Sequence, residues 1–192
     1  MEKRNSVGKE EWKEERLIRV DRKLAYEGTI MKIYKDDMKM PDGQMVQWDF
    51  FYHKGGAAVI PILDDGRILL VRQYRNALDR YTLEIPAGAY DEENESGEVC
   101  AARELEEETG YRSENLEFLL HMNSMPAFTN EKVSIYVAHH LIPSEQKLDD
   151  QEFLNVEIWE LKDLITMIYR GELTDSKTVC GLLAYALQKK SV

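Results

Sequence analysis

Three glutamates, Glu104, Glu107 and Glu108, stand at i, i+3 and i+4 in the run Arg103-Glu104-Leu105-Glu106-Glu107-Glu108. On a helix this spacing sets three carboxylates on one face, about 5–6 Å apart. Like charges so close oppose the helix unless a cation lies among them, and Arg103, at i−4 from Glu107, is one positive charge against three negative. Two readings follow. The face is solvated and serves only solubility, or its hard oxygen ligands gather Mg²⁺ or Mn²⁺. The spacing alone leaves both open.

The elements around these residues are legible. Ser96 is a helix N-cap and Gly110 a stop, which predicts a helix over Gly97–Thr109, with Val99, Ala102 and Leu105 as its packing face and Glu106 reaching toward solvent. Upstream, Ala57–Leu63 and Arg67–Gln73 read as strands of a hairpin around Asp64-Asp65-Gly66, and Tyr81–Ile85 as a short strand ending at Pro86. An acidic loop, Asp91–Glu95, leads into the helix. Downstream, Asn115–Met122 and Lys132–Leu141 read as strands joined by a loop holding Pro126. The tail predicts helices over Glu160–Arg170, ending at Gly171, and Lys177–Lys189, capped by Asp175 or Ser176.

Nearer the N-terminus, Ala25–Lys54 reads as strands around Pro41-Asp42-Gly43, and Val46, Trp48, Phe50 and Tyr52 alternate with other side chains. A sheet of about 30 residues cannot bury enough surface by itself and must pack on the rest of the chain or on a second copy. The chain therefore divides into a polar leader (1–24), a small antiparallel sheet (25–54) and a main domain (55–192). Strands and helices are interspersed without βαβ alternation, so the class is α+β.

Composition sets limits. With 192 residues, 43% of them hydrophobic, one compact domain with a sizeable core is expected. A net charge of −11 argues against gripping a nucleic acid backbone, though bound divalent ions could still present anionic small molecules with a positive field. No run of apolar residues is long enough for a membrane span, and the charged N-terminus does not read as a secretory signal. Cys100 and Cys180 are the only cysteines, lack zinc-site spacing, and read as core thiols of a cytoplasmic protein.

The wider segment decides between the two readings of the glutamates. From Gly88 to Tyr111 the sequence is GAYDEENESGEVCAARELEEETGY, which resembles the Nudix box. Arg103, Glu104, Leu105, Glu107, Glu108, Gly110 and Tyr111 match the second half of that signature, and the seven residues between Glu95 and Arg103 match its spacing. One departure lies in the acidic loop, where six residues rather than five separate Gly88 from Glu95. The resemblance implies a Nudix fold, a mixed β-sheet sandwiched by helices. It also implies attack of water on phosphorus, assisted by two or more Mg²⁺ or Mn²⁺ ions. Glu104 and Glu108 are the implied main ligands, with Glu107 and the Ala87 carbonyl in support and Arg103 orienting Glu107.

Other segments point to a branch of the family. Leu70–Arg75, Leu83–Gly88 and the tail Gly171–Thr178 look like the ADP-ribose pyrophosphatase branch, as does Pro126, fifteen residues beyond Tyr111. The resemblance then implies that the substrate is ADP-ribose or a related nucleoside diphosphate sugar. It places Arg75 on the phosphates and Glu84 as a substrate or metal-shell group. Trp48 and Asp49 would take the nucleobase, and Glu131, in the loop after Pro126, would act as general base when the loop closes. It also implies a homodimer that exchanges the N-terminal sheet. His53 stands where some relatives carry a phosphate-binding basic residue, while His121, His139 and His140 read as structural. The alternatives are a GDP-sugar or dinucleoside polyphosphate hydrolase and, from a different class, a non-catalytic nucleotide-sugar sensor.

Overall fold

A computed structural model of the chain describes residues 17–29, 31–92, 94–148 and 152–190. Residues 1–16 of the expected leader, and Glu93 of the acidic loop, lie outside the described residues. The chain divides into two compact units, residues 1–52 and 53–192.

The first unit is an antiparallel meander of β1 (Ile18–Glu27), β2 (Lys32–Lys39) and β3 (Met45–Tyr52). Its first strand begins inside the segment read as leader, because Ile18, Val20, Leu24 and Tyr26 supply β-forming residues between charges. The turn at Gly43 has φ +89°, as Pro41-Asp42-Gly43 predicts. Arg22 on β1 makes a bidentate ion pair with Asp36 on β2, both bonds 2.6 Å, and lies 3.7 Å over the Phe50 ring. Trp48 is 45% exposed, so it is not a core residue of this sheet.

The second unit is built on a mixed sheet in the order β7-β4-β10-β9, comprising β4 (Gly56–Pro61), β7 (Ala87–Ala89), β9 (Asn115–Asn123) and β10 (Lys132–His139). Strands β4 and β10 are parallel and the other pairs antiparallel. Every residue of β4 is buried, as a central strand covered on both faces requires. Ala57 and Val59 face α1 (Gly97–Thr109), packing with Cys100, Ala101 and Leu105. Ala58 and Ile60 face the larger core, with Ile135, Leu164, Leu182 and Tyr185 from β10, α2 (Leu161–Tyr169) and α3 (Ser176–Lys190). A second sheet, in the order β12-β5-β6, is formed by β5 (Ile68–Arg75), β6 (Arg80–Glu84) and β12 (Leu154–Trp159). Short strands β8 (Tyr111–Arg112) and β11 (Ile142–Pro143) pair beyond α1. This is the α+β arrangement expected, a mixed sheet between helices.

Three local expectations change. The turn at Asp64-Asp65-Gly66 forms, closed by Leu63 N–H donating to Arg67 O at 2.9 Å and by a bridge between Ile62 and Ile68. Its strands then part into different sheets, because β4 takes β10 as partner and β5 takes β6 and β12. The buried stripe of α1 is Cys100, Ala101, Glu104, Leu105, Glu108 and Thr109, while Val99 is exposed. The two glutamates thus belong to the packing side of the helix. Cys180 is also exposed, since α3 turns Thr178, Gly181, Leu182 and Tyr185 inward; Cys100 is buried as expected. No helix among the described residues is long and apolar enough to cross a membrane.

Leu105 is fully buried where α1 meets β4 and β10. Leu105→Ala is expected to cost about 2–5 kcal/mol in urea unfolding, through lost transfer energy and the cavity left behind. A loss below about 1 kcal/mol would mean that α1 does not depend on this contact.

Candidate active site

Helix α1 starts at Ser96, whose Oγ accepts from Val99 N–H at 3.2 Å, and ends at Gly110, which takes a left-handed φ of +69°. Between these caps the helix presses its carboxylates onto β7. Glu108 Oε2 accepts from Ala87 N–H at 3.1 Å. The Glu104 carboxylate lies so close to Gly88 that a Cβ built there would sit 1.9 Å from Oε1, which explains why glycine holds that position. Glu104 is 7% and Glu108 2% exposed. Burial raises Glu104 to about 7 and Glu108 to about 8, the charge of Glu104 adding to the rise in Glu108.

Arg103 acts as the local cation. One of its guanidinium nitrogens donates to Glu104 at 2.6 Å and to Glu107 at 2.9 Å, the i+4 contact expected. Its Nε lies 3.2 Å from Asp91 and 3.3 Å from Glu95. The Glu107 side chain is 39% exposed and shares one Arg103 nitrogen with Glu104. Among the described residues no group of three or more His, Cys, Asp or Glu side chains is gathered closely enough to hold a metal ion. The donor chemistry still suits a hard divalent cation. Glu104 and Glu108 are buried with less positive charge nearby than two carboxylates require, and the β7 backbone lies against both.

Beside β7 is a pocket of about 250 Å³ lined by His53, Arg75, Ala87, Gly88, Glu131 and Lys177, among others. Arg75 enters from the end of β5. Glu131 follows the loop after Pro126; its carboxylate accepts from Ser124 Oγ and lies 3.5 Å from His53 Nδ1. Asn130 ties this loop to the start of β4, its Oδ1 accepting from His53 N–H at 2.9 Å and its Nδ2 donating to His53 O at 2.8 Å. Glu131 lines the pocket with the loop tied in this way.

Lys177 was not singled out in the sequence, although it lies in the tail segment Gly171–Thr178. Its signal was the helix start. Asp175 Oδ2 accepts from Thr178 N–H at 3.0 Å and from Thr178 Oγ1 at 2.6 Å, and Thr178 Oγ1 accepts from Ile85 N–H at 2.9 Å. These bonds fix the first turn of α3 against β6 and put Lys177 in the pocket wall. Glu84 is 1% exposed, its carboxylate engaged by Arg75, Lys177 and Thr82, so it is enclosed rather than presented to a ligand. Burial opposes its charge, but Arg75, Lys177 and Thr82 outweigh burial and hold it at about 2. Trp48 and Asp49 lie in the first unit, where Asp49 pairs with Lys35 at 2.8 Å. His121 Nδ1 lies 3.1 Å from Ser134 Oγ within the sheet, a structural contact.

Comparison with known proteins adds three findings. The model of the NUDIX domain family matches residues 52–180. The chain is 35% identical over 171 residues to an ADP-ribose pyrophosphatase of Bacillus subtilis, covering 88% of this chain and 89% of the relative. It is 36% identical over 178 residues to a methanol dehydrogenase activator of Bacillus methanolicus, covering 92% and 95%. A crystal structure of an ADP compounds hydrolase has a similar fold, with a TM-score of 0.81 at 22% identity, over 91% of this chain and 95% of that one.

The buried glutamates give a pH signature. Both start from an ordinary value of 4.5 and are raised in the folded chain. Their contribution is present below that value and is lost as pH rises through about 7 to 8. Glu84, being lowered, acts only in more acidic solution and does not offset this loss. Without divalent ions, Tm is expected to fall between about pH 5 and pH 8, by the equivalent of a few kcal/mol. Millimolar Mg²⁺ at the upper pH restores it, because a ligand of the folded state stabilises that state. Scanning calorimetry that finds a flat Tm and no response to Mg²⁺ would contradict the electrostatics described.

Proposed function

Because the chain belongs to the NUDIX domain family, we propose that it hydrolyses the diphosphate bond of ADP-ribose or a related nucleoside diphosphate sugar, giving a nucleoside monophosphate and a sugar phosphate. The observation that carries this reading is the floor of the pocket. There the backbone of Ala87 and Gly88, which lies against two buried carboxylates, lines a cavity that Arg75, Lys177 and Glu131 also line. The relatives named as ADP-ribose pyrophosphatases support the substrate class.

Glu104 and Glu108, with Glu107 and the Ala87 carbonyl, would hold two or more Mg²⁺ or Mn²⁺ ions. Such ions neutralise charge on the diphosphate and lower the pKa of bound water. Arg103 orients Glu104 and Glu107 through one guanidinium nitrogen that donates to both. Arg75 and Lys177 bind phosphate oxygens, the guanidinium offering a planar set of donors. Glu131 takes the proton of the attacking water as oxygen bonds to phosphorus, and the bond from phosphorus to the bridging oxygen breaks. Residues 53–177 supply all of these groups.

The reading extends to a homodimer that exchanges its N-terminal sheets, with Trp48 and Asp49 serving the nucleobase. In that sheet Asp36 and Met38 are the buried side chains, while Trp48 and Tyr52 lie exposed, which supports a covering partner. A stacking ring tolerates either purine, so Trp48 does not set base preference. A cytoplasmic setting fits the two unpaired cysteines.

A substrate panel with Mg²⁺, scored by kcat/KM with product analysis, tests the function. ADP-ribose is expected to yield AMP and ribose 5-phosphate and to exceed GDP-mannose and dinucleoside polyphosphates; a preference for either of the latter would overturn the substrate choice. Glu108→Gln is expected to lower kcat by about 100-fold or more, as removal of a metal ligand does. Glu131→Gln is expected to lower kcat about 100-fold with little change in KM. Full activity in either variant removes that residue from the mechanism.

A further inference from the structure

We propose that Glu84 is a positioning residue that binds Arg75 and Lys177 into one anion clamp, and that it sets the affinity for the diphosphate without touching it. The inference rests on the reading of the pocket as a diphosphate site, but the clamp can be measured separately from hydrolysis.

The geometry has three parts. Arg75 Nε and Nη2 donate to the two Glu84 oxygens at 2.8 and 2.6 Å, a bidentate pair that fixes the plane of the guanidinium. Lys177 Nζ donates to the same Oε2 that takes the second of these bonds, and to Asp175 Oδ2 at 3.0 Å. Thr82 Oγ1 donates to Oε1 at 2.5 Å, holding the carboxylate from behind. Arg75 and Lys177 line the pocket; Glu84 is buried beneath them. The two cations come from β5 and α3, separate elements, and the shared carboxylate joins their side chains.

Two cations facing one cavity repel each other, and the shared Glu84 anion reduces that cost. With Asp175 counted, the four side chains carry no net charge, so the clamp offers fixed donors rather than an excess of positive charge. Asp175 adds a second brace through the helix cap, so the lysine is held by the same residue that starts α3. Arg80 is the cross-strand partner of Arg75, and its Nη2 donates to Thr174 Oγ1 at 2.8 Å, which turns that third cation toward the residue preceding Asp175. The carboxylate of Glu84 thus serves the two pocket cations.

The test is a double-mutant cycle on the full chain. Glu84→Gln keeps the shape of the side chain and removes its charge. It is expected to raise KM for ADP-ribose about 10-fold while kcat stays within about threefold, because binding and not chemistry loses its support. Lys177→Met raises KM by a similar factor, and the double variant is expected to fall well short of the roughly 100-fold product, because part of the Glu84 effect acts through the lysine and the rest through Arg75. Calorimetric binding of inorganic pyrophosphate is expected to weaken about 10-fold in Glu84→Gln. If circular dichroism shows that this variant is unfolded, Thr82→Val, which removes one donor to the carboxylate, carries the same cycle, with KM raised about threefold. An unchanged KM and unchanged pyrophosphate affinity in the folded variant, or additive effects in the cycle, overturn the proposal. Weakened pyrophosphate binding in a protein that does not cleave ADP-ribose keeps the clamp and removes the substrate assignment.

Discussion

Two carboxylates buried against a strand backbone are the constraint on which the rest of this protein depends. Glu104 and Glu108 lie in the packing stripe of α1, where a chain of ordinary design would place leucine or alanine. Their desolvation is tolerable only with donors and cations close by, and the surrounding residues are chosen accordingly. Ala87 offers its N–H, Gly88 its missing side chain, and Arg103 its guanidinium. The helix caps at Ser96 and Gly110 hold this register, since a shift by one residue would carry both carboxylates out of the stripe.

The pocket beside them divides its labour by element. Strand β5 and helix α3 bring cations, the loop before β10 brings an acid, and β7 brings bare backbone. Each group is held by a neighbour that does not itself line the cavity. Glu84 holds Arg75 and Lys177, Ser124 holds Glu131, and Asn130 ties the acid's loop to the start of β4. Affinity and chemistry therefore rest on different supports, and substitutions in one layer are separable from those in the other.

Much of this was legible in the sequence, for identifiable reasons. The helix Gly97–Thr109 was read to its bounds because a serine cap and a left-handed glycine leave little freedom at either end. The candidate residues Arg75, Ala87 and Glu131 were found through fixed local patterns, and the fold places all three around one pocket. What failed needed tertiary information. A helical wheel gives relative angles but not which side meets a sheet, so the pattern alone puts Val99 on the packing side, where the structure has Glu104 and Glu108. The turn at Asp64-Asp65-Gly66 was recognised, but a tight turn does not reveal that its strands will choose different partners. Strand β12 carries a period-2 signal in Leu154, Val156 and Ile158, but it spans only six residues and includes Asn155, a turn-favouring residue. Lys177 was hidden because a single lysine after a cap looks like any solvated helix start.

The site also has a property that concerns assembly in time. Its decisive contacts join distant parts of the chain: Lys177 meets Glu84 across 93 residues, and Asn130 meets His53 across 77. The central pairing is parallel, between β4 and β10, and such long-range closures make folding slow compared with local helix formation. During synthesis, α1 can form soon after it emerges, with Arg103 on the helix itself and Ala87 and Gly88 already made, whereas Lys177 comes only with α3. No fragment ending before α3 contains the clamp. A growing chain therefore carries the two carboxylates of α1 well before Lys177 can join Arg75 and Glu84, and the pocket is completed late in folding.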